Sequence, residues 1–146
     1  MDKATTQTVN HLNSFLRGEL AAVETYRLAL NKLDQSPHRA LLEHCERSHA
    51  ARARIIAEEV RTRGGQPSDG SGPWGTFAKL VEGSAAALGE KAAISALEEG
   101  EDHGRDDYRR DLPDLDPGAR HRIESDVIPE QNRTHAAISS LKKSLS

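Results

Sequence analysis

Apolar residues in the first third of the chain recur at helical spacing, at Leu12, Phe15, Leu16, Val23, Tyr26, Leu30 and Leu33. The pattern predicts a first helix over about 6–33. Ser36-Pro37 then offers an N-cap followed by the residue favoured in a first turn, and Gly64-Gly65 offers a stop, so a second helix is expected over 37–63. The stretch "GGQPSDGSGPWG" is rich in breakers, and "TFAKLVEGSAAALG" after it has the pattern of a short amphipathic helix. A third helix is expected over about 91–112. Asp116-Pro117 repeats the cap-and-proline signal and opens a fourth, running to about 145 with Pro129 inside it. No alternating strand pattern competes.

The lengths of the connections predict how these helices are arranged. Only a few residues join helix 1 to helix 2 and helix 3 to helix 4, which forces each pair to run antiparallel. The segment between helices 2 and 3 is long enough to travel the length of a bundle, at about 1.5 Å per helical residue. The expected fold is all-α: one domain over 1–146, made of a hairpin over 6–63, a crossover over 64–90 containing a short helix, and a hairpin over 91–145.

Charge and composition narrow the range of partners. Lys and Arg number 20 against 23 Asp and Glu, a net charge of −3, which argues against a nucleic-acid partner. The single cysteine, Cys45, has no internal disulfide partner. The first residues lack the basic-then-apolar order of a signal peptide, so a cytoplasmic location is expected. No apolar run approaches the roughly 18 residues needed to span a bilayer, and no membrane partner is expected.

Candidate chemistry comes from an internal repeat. "CERSHAA", from Cys45 to Ala51, nearly recurs as "QNRTHAA", from Gln131 to Ala137, and "GELAAVETY" shares its Gly-Glu start and final tyrosine with "GEDHGRDDY". The chain reads as two copies of one helical hairpin. Glu19 and Tyr26 are two turns apart on the apolar stripe of helix 1, and Glu101 and Tyr108 stand likewise on helix 3. Glu46 and His49 share a face with Ala53, Ile56 and Val60, and His135 shares one with Ile128, Ile138 and Leu145. Carboxylates buried in such stripes need a cation or a hydrogen-bond network. Oxygen with neutral imidazole nitrogen suits iron, manganese or zinc, and Glu-x-x-His supplies one of each from a single turn.

With these motifs, and with the hairpin–crossover–hairpin order, the chain resembles the ferritin-like superfamily of di-iron carboxylate proteins. In "ELAAVETY", "SGPWG" and "EGEDHG" it is also similar to a bacterial family of ferritin-like domains of unassigned function. The resemblance implies a four-helix bundle holding a mono- or di-nuclear metal centre, iron first and manganese or zinc as alternatives, with Glu19, Glu46, His49, Glu101 and His135 as ligands. Ferroxidase or peroxide-scavenging chemistry is the activity it implies. Helix 4 departs from the superfamily pattern, because Asn132 stands three residues before His135 where a glutamate is expected, and Glu130 is the nearest substitute.

A second reading stands beside this one. It is a metal-free structural or stress-associated interaction module with a polar core, in which the histidines are hydrogen-bonded core residues and Glu19 and Glu101 face solvent or pair with Arg17 or Arg105. Tyr26 and Tyr108 are expected as core aromatics with hydroxyls near the carboxylates. Glu98 and His103 are expected either beside the centre or in solvent, and the Trp74 segment packed on the bundle or forming the contact of a homodimer.

Overall fold

The computed structural model describes residues 1–72, 83 and 88–145, and among these residues the protein is all-α with no strand. Helix α1 spans Lys3–Lys32, α2 spans Arg39–Thr62 and α3 spans Glu90–Asp111. A 3-10 turn, Leu112–Asp114, leads into α4, Pro117–Asp126, and α5 covers Ile128–Ser144. The amphipathic segment after Gly75 and the Trp74 contact expected from the sequence lie outside the described residues.

Local chemistry sets the helix ends. Asp2 caps α1 by accepting from the Thr5 amide at 2.7 Å, and Asp116 caps α4 by accepting from the Ala119 amide at 2.8 Å. Beyond α2, Gly64 turns the chain with φ at +79°, a conformation open to glycine at little cost. The long fourth helix expected from the sequence is two helices. Pro129 has no amide to donate to the carbonyl of Ser125, and Val127 between the two helices departs to φ −111° and ψ −50°.

Contacts between named residues give the helix directions. Along α1 and α2 they run from Arg27–Glu46 through Glu19–His49 to Asn13–Gln66 just past α2, so these helices are antiparallel. Along α3 and α5 they run from Glu98–Lys142 to Glu101–Gln131, again antiparallel. The buried core falls into two apolar clusters. One gathers Leu12, Phe15, Leu16, Ile56, Val60, Tyr108 and Ile123, and the other gathers Tyr26, Ala29, Leu42, Ile94, Leu97 and Ile138. A layer of buried polar side chains lies along the same helices between them: Glu19, Ser48, His49, Arg52, Glu101, Gln131 and Thr134.

Candidate functional site

His49 is the hub of this polar layer. Its ring is buried, stacked on Tyr26 with centroids 5.3 Å apart, and both ring nitrogens meet carboxylates. Nδ1 lies 3.2 Å from Glu19 Oε2 on α1 and Nε2 lies 2.8 Å from Glu101 Oε2 on α3. An imidazole facing a carboxylate at each nitrogen donates from both and is therefore the charged form. Burial pulls the pKa of His49 down, but the Glu19 and Glu101 carboxylates push back harder and leave it raised. Burial likewise works to raise Glu101, yet the His49 charge and hydrogen bond, the Tyr26 hydroxyl and Arg52 bring it down to about 2.

Arg52, one turn beyond His49 on α2, has no exposed surface. Its Nε lies 3.3 Å from Glu19 Oε2, and Nη2 donates to Thr134 Oγ1 at 2.7 Å and to Ser48 Oγ at 3.3 Å. Thr134 Oγ1 in turn donates to Glu101 Oε1 at 2.7 Å, and Gln131 Nε2 donates to the Glu101 carbonyl at 3.0 Å. Two carboxylates and two cations thus share one buried layer and leave it without net charge.

The two tyrosines carry the internal repeat into three dimensions, because each meets the glutamate of the other copy. Tyr26 of α1 donates to Glu101 of α3 at 2.6 Å, while Tyr108 of α3 lies beside Glu19 of α1. Burial first, and then the neighbouring glutamate, pushes both phenols well above their ordinary pKa. Cys45, buried nearby, is pushed up to about 12 by burial and then by Glu101, so it stays a thiol.

Of the five side chains expected to gather, Glu19, His49 and Glu101 do so and Glu46 and His135 do not. Glu46 turns to the edge of the α1–α2 hairpin and pairs with Arg27 at 2.8 Å. His135 sits half-buried on α5, its Nε2 2.6 Å from Asp102 Oδ1 and 3.3 Å from Arg105 Nη1. The cause is helix phase. The buried face of α5 runs through Gln131, Thr134, Ile138 and Leu141, so His135 is one position, about 100°, off it. The same rotation exposes Asn132, while Glu130 accepts from Ser48 Oγ at 3.1 Å and pairs with Arg133. Glu98 pairs with Lys142 at 2.9 Å. Among the described residues, no group of three or more His, Cys, Asp or Glu side chains is arranged to hold a metal ion.

Arg52 is the central residue that sequence reasoning missed, since arginine is ordinarily assigned to solvent. A signal was present. Arg52 lies three residues after His49 and four before Ile56, on the face that Leu42 and Cys45 begin. A narrow groove between α1 and α3 reaches this layer, enclosing about 40 Å³ and lined by Gly18, Ala22, Gly100, Gly104 and Tyr108 among others.

Residues 7–113, which include most of α1, all of α2 and α3 and most of the polar layer, match the family described as Domain of unknown function (DUF2383). The chain belongs to the DUF2383 family. No curated protein and no solved structure matches it. In this DUF2383 chain the matched stretch supplies Glu19, His49, Arg52 and Glu101, while Gln131 and Thr134 come from α5 beyond it. Among the described residues no helix is long and apolar enough to cross a membrane.

Proposed function

We propose that this DUF2383 chain is a ferritin-like bundle whose centre is an internal ion-pair layer, and that it works as a metal-free structural or interaction module. The observation that carries the reading is the double engagement of His49, which has a carboxylate at each ring nitrogen while Arg52 takes up Glu19. A metal ligand needs a free imidazole lone pair, and a divalent ion needs uncompensated carboxylates. In this arrangement the chain's own cations already balance Glu19 and Glu101, so the residues do not fit iron, manganese or zinc in this protonation state. Ser36, just before α2, meets Glu90 at the start of α3, and His49 further along α2 meets Glu101 further along α3, which supports parallel helices joined by a long crossover.

A second reading has its own support in the convergence of Glu19, His49 and Glu101, three of the five ligands the ferritin-like resemblance implies. On that reading the chain binds iron, and ferroxidase or peroxide-scavenging activity is open to it. Metal analysis of protein purified without chelator, with thermal unfolding in the presence and absence of EDTA, separates the two. The ion-pair reading expects sub-stoichiometric metal and the same melting temperature with EDTA. Stoichiometric iron that is lost in Glu19→Ala would establish the metal reading instead.

A further inference from the structure

The groove between α1 and α3 is walled by residues without bulk. Gly18 and Ala22 of α1 line it with Gly100 and Gly104 of α3, and a Cβ added at Gly18 would meet nothing within 4 Å. Small walls alone define only a gap; Tyr108 gives the gap its chemistry. That side chain is 3% exposed and lines the groove, and its hydroxyl, though beside Glu19, does not reach hydrogen-bond geometry with any described residue. A buried hydroxyl left in that state is unfavourable, and a ligand that accepts its hydrogen bond relieves the cost. Beside it, Glu19 turns Oε2 toward His49 Nδ1 at 3.2 Å and Arg52 Nε at 3.3 Å.

We propose that this groove binds a small neutral molecule through a hydroxyl group, which accepts from Tyr108 and donates to the Glu19 carboxylate. The inference goes beyond the module reading and does not depend on what the bundle docks against. Three features define the ligand. The layer beneath the groove has no net charge, because Glu19 and Glu101 are balanced by His49 and Arg52, and Asp107, which also lines the groove, is already paired with Arg110 at 3.2 Å, so an ion would enter without a free counter-charge. An ammonium has no lone pair for Tyr108 and a carbonyl has no proton for Glu19, whereas an alcohol offers both. The enclosed space, about 40 Å³, is a few times the roughly 10–15 Å³ that one water needs, so the hydroxyl and the first carbons of a small alcohol enter. The rest of a short aliphatic chain lies in the mouth between Gly18 and Gly100, against Phe15 and Leu97.

The test is a titration of the ¹⁵N-labelled full chain with 1-propanol and, separately, with the propylammonium ion, read at the amides of Gly18, Gly100 and Gly104. Saturable shifts confined to these amides are expected with 1-propanol and absent with propylammonium. Tyr108→Phe keeps the ring that packs on Phe15 at 4.6 Å and should weaken the affinity roughly tenfold, the value of one hydrogen bond. Gly18→Leu fills the mouth and should abolish binding. It replaces a helical glycine with a better helix former, so its melting temperature should not fall and lost binding cannot be put down to lost fold. Shifts that grow linearly without saturation, or binding that survives in Gly18→Leu, would overturn the proposal. So would equal binding of propylammonium, or a spectrum unmoved by 1-propanol because Tyr108 is satisfied by water or directly by Glu19.

Discussion

A guanidinium with no exposed surface stays folded inside only while anions and acceptors surround it, and Arg52 has them from three helices: Glu19 on α1, Ser48 on its own α2 and Thr134 on α5. Removing it leaves the Glu19 carboxylate buried with one cation fewer. Breaking a buried pair from one side costs about 3–5 kcal/mol, so Arg52→Ala should lower the stability measured by urea unfolding by about that amount. A loss below about 1 kcal/mol would mean that Glu19 finds water in the mutant. His49 gives the same layer a pH signature. Its folded pKa lies above the ordinary 6.5, so its contribution is complete below about 6.5 and is lost as pH rises through the folded value. Glu101 acts in the opposite sense, contributing fully above 4.5 and losing its contribution as pH falls toward about 2. The melting temperature should therefore peak between these limits. The acid limb is shared with Asp116 and Asp111, also held low by arginines, whereas the limb above pH 6.5 should flatten in His49→Gln.

At the scale of elements, the start of α4 ties down one end of the bundle. Asp116 receives Arg63 Nε at 2.7 Å and Nη2 at 2.9 Å while capping α4, and its own amide donates to Thr8 Oγ1 of α1 at 3.0 Å. One carboxylate therefore links α2 to α4 and its backbone links α4 to α1. Asp116→Asn retains a capping oxygen and loses the ion pair, whereas Asp116→Ala loses both. The alanine variant should cost about 1 kcal/mol more than the asparagine variant in thermal or urea unfolding, the value of a cap. Helix existence was legible in the sequence because apolar spacing and cap signals agree; α1, α2 and α3 begin and end within three residues of the expected positions. Helix phase was not. Ile138 lies on the apolar face whichever way α5 is rotated by one residue, so the apolar pattern could not choose between His135 and Thr134 as its inward neighbour. Glu46 failed for the same reason, since Cys45 and His49 carry the buried line of α2 without it. That the tyrosines stand near carboxylates was legible, because Glu19 and Tyr26, like Glu101 and Tyr108, share a helix face two turns apart; that each tyrosine meets the glutamate of the other copy was not, since it depends on how the two hairpins dock.

For the whole molecule, the repeat is kept in one respect and abandoned in another. Tyr26 with Glu101 and Tyr108 with Glu19 preserve the relation between the two hairpins. The position matching Arg52 in the second copy is Ile138, and His135 lies outside the layer that His49 centres. The first hairpin thus brings both buried cations, and the second brings Glu101 and Thr134 to receive them. A hairpin made alone would hold a histidine and an arginine against a single glutamate, with its remaining acceptors on the absent half. Association of the halves and neutralisation of charge are then one event, which leaves neither hairpin as an autonomous folding unit. An intermediate with one hairpin formed and the other undone would carry unmatched charges at its centre, so folding is confined to a single cooperative step in which the second half completes the first.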